Sequence, residues 1–332
     1  MRRNNLQKRV TTGRFTLPVA VFISIICWIL ASLLMPGLVE QKASYSLFQL
    51  VDLTILPLWF NKLVSFTLYA VVGYSLIELN NAFAIIYIRA SVQTSLYFVF
   101  IAVCPFLQQL HVGEFVAIAF LLSIYFLFKS YQCHRSSAYL FHSFVFMGIG
   151  SLLFPQLAFL IPVWLIGAYN LRSLNMRSFF AALLGWIMPY WFLFAHAYYY
   201  GEMELFYKPF IDLMRFQPID FATVPLPDIL TAAFLFILYA VSSIHCFVTS
   251  YQDKIRTRSY LRFLILIDFC FFVLLVLQPA HIACLLSILP VGVGILVGHL
   301  FVLTNNKASY LFFIFSLFSL IFLYCFNLWM FL

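Results

Sequence analysis

The chain of 332 residues holds only eleven Asp and Glu residues and seven His, so any of them inside an apolar run stands out. Four do: Asp268, His299, His245 and His142. Asp268 lies seven residues beyond Leu261, and the three histidines lie about four to six residues from the ends of their runs. At 1.5 Å per helical residue this puts all four roughly 6–11 Å below one membrane face. An ionisable group at that depth needs a partner or a water-filled cavity. An Asp–His pair can share a proton near neutral pH, so the chemistry implied is a proton relay or an ion site. The alternative is interhelical hydrogen bonding, worth about 0.6 kcal/mol per bond.

Two further groups of charges lie between apolar runs. Glu40 and Asp52 fall in the first such loop, where paired carboxylates act as a general base or hold a divalent cation. The segment 201–228 is the longest polar interval. Within it Met203, Phe206, Phe210 and Leu213 recur at helical spacing, which predicts one apolar stripe. Glu204, Lys208, Asp212 and Arg215 alternate in sign along the same stretch. Such a helix lies in the interface with its stripe in lipid, and Pro209 would kink or divide it. Lys208 and Arg215 are the residues that would hold a phosphate.

These residues are positioned by apolar segments. The composition is 64% apolar, 20% aromatic and 9% charged, far below the ~25% charge of a water-soluble domain. Runs of about 20 apolar residues match the hydrocarbon thickness of a bilayer. Lipid cannot satisfy a bare backbone, so the runs must be helices or a closed barrel. The stretch Leu311–Phe326 lacks the alternation of a barrel strand. The fold class expected is therefore all-α: a polytopic transmembrane helical bundle forming one domain over 1–332. About eleven spans are read, at 17–37, 59–78, 91–109, 114–130, 137–154, 156–170, 179–199, 229–249, 261–279, 282–303 and 310–330.

Charge sets the orientation. Residues 1–16 form a basic N-terminus with Arg2, Arg3, Lys8, Arg9 and Arg14. Placed in the cytoplasm, it puts fifteen of the nineteen Lys and Arg residues inside and leaves Lys42, Lys62, Lys208 and Arg215 outside. That is the positive-inside pattern, and it predicts a bacterial inner membrane protein with its C-terminus outside. The same distribution argues against nucleic acid as a partner. Cys27, Cys104, Cys246, Cys270, Cys284 and Cys325 lie in apolar runs and Cys133 in a basic loop. With no CxxC spacing, neither a disulfide framework nor a metal site is indicated. Phosphate-loop, GxSxG and HExxH patterns are absent too, so no cofactor is evident.

The stretch Lys129–Trp191 carries the features that resemble a known family. It holds Lys129-Ser-Tyr-Gln, Phe141-His-Ser-Phe, Gly148-Ile-Gly-Ser-Leu-Leu-Phe-Pro155, Arg172-Ser-Leu-Asn-Met-Arg-Ser178 and Gly185-Trp-Ile-Met-Pro-Tyr190. It resembles a family of multi-pass inner-membrane proteins of Bacteroidota with no established activity. The resemblance implies location, not mechanism. The helix number and outer amphipathic segment are also similar in architecture to membrane glycosyltransferases that use polyprenyl-phosphate sugars. Three readings follow. The first is a protein handling a polyprenyl-phosphate or glycolipid substrate at the outer leaflet, through Lys208, Arg215, Glu40 and Asp52. The second is a proton- or ion-coupled transporter centred on Asp268 and His299. The third is a non-catalytic subunit whose partner is another membrane protein.

Overall fold

The computed structural model describes residues 6–34, 57–86, 91–215, 219–304 and 306–331. Of these, 87% are helical and none is in a strand. Thirteen α-helices are described. The first six are α1 (Leu6–Thr12), α2 (Thr16–Leu34), α3 (Leu58–Phe83), α4 (Ser91–Ala102), α5 (Val112–Lys129) and α6 (Ser137–Leu153). Then come α7 (Ile161–Asn170), α8 (Met176–Tyr200), α9 (Met203–Met214) and α10 (Leu226–Val248). The last three are α11 (Ile255–Leu277), α12 (Ile282–Leu303) and α13 (Lys307–Phe331).

Among the described residues, eight helices are long and apolar enough to cross a membrane: α2, α3, α5, α8, α10, α11, α12 with its preceding turn, and α13. The chain is thus a multi-pass membrane protein. The other three expected spans, 91–109, 137–154 and 156–170, contain the shorter helices α4, α6 and α7, of 12, 17 and 10 residues. Proline explains their length. Cys104, Phe154 and Gln278 each precede a proline and each lies outside the helical region, after which the chain restarts in a 3₁₀ turn. A residue before proline is pushed out of the helical region, so α6 and α11 end one residue, and α4 two residues, before the residue that precedes the proline or at it.

Polar residues at these breaks hold freed backbone groups. Gln108 donates to the Ala102 carbonyl at 3.3 Å, and Asn327 of α13 donates to that of Val103 at 2.8 Å. Gln156 of the second break meets His281 of the third at 2.9 Å. Elsewhere caps do the work. Asn175 and Ser178 form a reciprocal capping box at the start of α8, and Gly201, at φ 72°, ends it in the left-handed region. In contrast α9 runs unbroken through Pro209. That proline is buried, so packing outweighs the hydrogen bond it removes.

Helix α12 is the centre. Of its most apolar stretch 89% is buried, against 22% in α2 and α8. Small residues let helices approach it and one another, as in membrane bundles generally. A Cβ on Gly148 of α6 would stand 2.8 Å from the Trp186 carbonyl of α8, and one on Gly185 would overlap the Phe141 carbonyl of α6. Ser123 and Ser143 pair reciprocally across α5 and α6, each hydroxyl donating to the other's carbonyl at 2.8 Å. The Trp164 indole donates to Ser123 as well, at 2.8 Å.

Candidate functional site

Helix α12 carries little polarity, and each polar point on it meets an ionisable group from a neighbour. Ser287, Gly292 and His299 mark three levels, with rises of about 7.5 and 10.5 Å between them at 1.5 Å per residue. Together they give the buried spine of the bundle a row of chargeable contacts.

At the first level the starts of α3, α5 and α12 converge. His111 sits immediately before α5, its ring between Ser287 on one side and Gln109 and Glu114 on the other. Its Nε2 lies 2.6 Å from the Ser287 hydroxyl, while Nδ1 lies 2.9 Å from the Gln109 carbonyl and 3.3 Å from Glu114 Oε1. Glu114, in the first turn of α5, also accepts from the Ser65 hydroxyl of α3. Both Ser65 and Glu114 are 0% exposed, and His111 is 2%. The other carboxylate oxygen of Glu114 has no hydrogen-bond partner among the described residues. Tyr69 of α3 and Tyr97 of α4 wall the cluster; the Tyr69 ring is 6.4 Å from that of His111 and 6.4 Å from that of Tyr97. Gly113 makes the approach possible, since a Cβ there would stand 2.6 Å from Ser287 Oγ and 2.8 Å from His111 Nε2.

The second level is Asp268 of α11. Its side chain is 0% exposed and neither oxygen has a hydrogen-bond partner among the described residues. The carboxylate lies against the bare Cα of Gly292, where a methyl group would overlap all three of its terminal atoms. Tyr239 of α10, nearby, spends its hydroxyl on the Ile265 carbonyl at 2.9 Å. A carboxylate without donors in a low-dielectric interior needs a proton, a cation or water to be tolerated.

The third level is at the opposite end. His299 Nε2 is 3.3 Å from Asp253 Oδ1, and its Nδ1 is 3.6 Å from Cys246 Sγ. His245 stands beside it, with ring centroids 6.3 Å apart.

The structure therefore unites His245 with His299 and separates both from Asp268. Gly292, which Asp268 touches, and His299 are seven positions apart on α12, a rise of about 10.5 Å. His142 belongs to neither level; it is exposed on α6, its ring 5.2 Å from that of Phe126. Lys208 lies in α9, and Arg215 follows its last residue, exposed. Seven residues apart, their backbones are separated by roughly 10 Å along the helix axis. Glu40 and Asp52 lie outside the described residues.

Sequence reasoning missed Glu114 and His111. Both stand at the border of an apolar run and read as its hydrophilic edge. The available signal was their i, i+3 spacing around Gly113, which places both on one side of a helix start. The partner of His111, Ser287, is one hydroxyl in an apolar run and gives no signal.

Chemically, Ser287, His111 and Glu114 stand in the order that activates a hydroxyl for nucleophilic attack. Ser287 is itself 0% exposed, a setting suited to passing or holding a proton. No protein-family model matches the sequence, and neither a characterised protein nor a solved structure is significantly similar to it.

Proposed function

We propose that this membrane protein is a proton- or cation-coupled transporter in which Glu114, with His111, and Asp268 are the coupling groups. The observation that carries this reading is a pair of fully buried carboxylates, Asp268 against the central helix and Glu114 beside His111, with three of their four oxygens unpartnered among the described residues. Buried acids of this kind in membrane bundles mark ion pathways and proton relays. Glycine along α12, at Gly292, Gly294 and Gly298, lets neighbouring helices and the Asp268 carboxylate lie against its backbone. In the orientation expected from charge, Glu114 lies toward the outer face and Asp268 deeper toward the cytoplasm.

The test is infrared difference spectroscopy of the lipid-reconstituted protein between acidic and alkaline buffers. Proton entry into vesicles under an imposed potential is measured in parallel with an entrapped pH dye. Two protonated-carboxyl bands are expected, one lost in Glu114→Gln and the other in Asp268→Asn, with proton movement reduced in both. Spectra unchanged by either substitution would remove the reading.

A hydrolase is the second reading, favoured by the Ser287–His111–Glu114 distances. It requires covalent labelling of Ser287 by a fluorophosphonate. Handling of a polyprenyl-phosphate or glycolipid at the outer leaflet by Lys208 and Arg215, with Glu40 or Asp52, requires such a lipid in native mass spectra of the purified protein. A subunit role requires a second polypeptide there at fixed ratio.

A further inference from the structure

We infer that His245, Cys246 and His299 form a binding site for a transition-metal ion of the zinc class, with Asp253 orienting His299. The ligand atoms come from the end of α10 and the last third of α12, and all lie within 4.8 Å of one another. The Cys246–His299 distance is informative. Ligands at about 2.3 Å (sulfur) and 2.05 Å (nitrogen) from a tetrahedral ion are about 3.6 Å apart. Cys246 Sγ and His299 Nδ1 are 3.6 Å apart. His245 needs only a small ring movement to close the third edge.

The surroundings point the same way. Metal-bound histidines donate their second ring nitrogen to a carboxylate, which fixes tautomer and orientation. His299 has this arrangement, its Nε2 facing Asp253 Oδ1 at 3.3 Å. His245 has no hydrogen-bond partner among the described residues on either ring nitrogen, although both atoms are buried. An unpaired imidazole is costly away from water, and a metal ion would satisfy it. Two imidazoles and a thiolate favour zinc, cobalt or cadmium over magnesium or calcium. Three protein ligands leave a fourth position open. Cys246 and Asp253 also line a small pocket together with Ser250, Arg258, Leu261 and Arg262. Consecutive residues on α10 supplying two ligands, and a third 53 residues on, match no spacing motif. The site involves neither Glu114 nor Asp268 and stands independently of the transport reading.

The experiment is a Co²⁺ titration of the full chain, chelator-washed in detergent and followed by absorbance. One equivalent should produce a thiolate-to-cobalt charge-transfer band with tetrahedral visible bands, displaced by Zn²⁺ and not by Mg²⁺. Cys246→Ser should abolish the charge-transfer band. Asp253→Asn should keep the stoichiometry and weaken binding about 10- to 100-fold. His245→Ala, at a partly exposed position, should shift the visible bands and weaken binding at least tenfold, and it serves if Cys246→Ser fails to fold. Absence of the charge-transfer band in the wild type, its persistence in Cys246→Ser, or full affinity in His245→Ala would overturn the assignment.

Discussion

Gly292 and Asp268 are expected to be coupled in stability, and the size of the coupling follows from their contact. A methyl group on Gly292 would overlap Cγ and both oxygens of the Asp268 carboxylate. Adding a methyl to a packed interior costs about 1–3 kcal/mol. Alanine regains up to about 1 kcal/mol of helix propensity over glycine. Gly292→Ala should therefore destabilise by about 1–2 kcal/mol. Asp268→Ala removes an unpartnered carboxylate and leaves a gap of similar size to the lost group, so its net effect should lie within about 1 kcal/mol of zero. In the double variant the new methyl enters the vacated space and the overlap disappears. It should be at least as stable as Asp268→Ala alone, a coupling of about 1–3 kcal/mol. Reversible unfolding of micellar protein by added SDS, followed by tryptophan fluorescence, measures all four states; Trp164 and Trp28 are buried reporters. Additive costs, with a coupling below about 0.5 kcal/mol, would refute the placement of Asp268 on Gly292.

Other substitutions test the remaining contacts. Gly113→Ala should force His111 from Ser287, costing about 1–3 kcal/mol in the same unfolding assay and altering the Glu114 infrared band. Ser65→Ala should leave Glu114 one donor short, at a cost of about 1–3 kcal/mol, while the Asp268 band stays in place. Gly185→Ala should part α6 from α8, lowering stability by about 1–3 kcal/mol without moving either carboxyl band. Asn175→Ala should cost about 0.5–2 kcal/mol through loss of the α8 cap, with the Co²⁺ titration unchanged.

The helical class was legible because hydrocarbon leaves a backbone few choices and because Leu311–Phe326 shows no strand alternation. Element length was harder. Hydropathy treats Cys104-Pro105 and Phe154-Pro155 as continuous apolar sequence, whereas proline stops α4 and α6 there. The polar residues were legible as outliers but not as partners. Depth counting put Asp268 and His299 at similar levels, yet α11 and α12 run in opposite directions and their offset is fixed only by packing. His299 consequently meets Asp253, in the turn ahead of α11. Glu114 was hidden by its position at a border, and its burial depends on α3 and α12 closing over it.

The side chain of Gln7, 1% exposed in α1, donates to the carbonyls of Phe301 and Thr304 and to the Ser309 hydroxyl. During synthesis this amide is made near the start and its acceptors near the finish. At about 5–20 residues per second, the 294 residues between Gln7 and Phe301 take roughly 15–60 s to add. Throughout that interval Gln7 lacks these acceptors. Any partner of the nascent chain therefore finds the Gln7 side chain available until α12 and the start of α13 emerge.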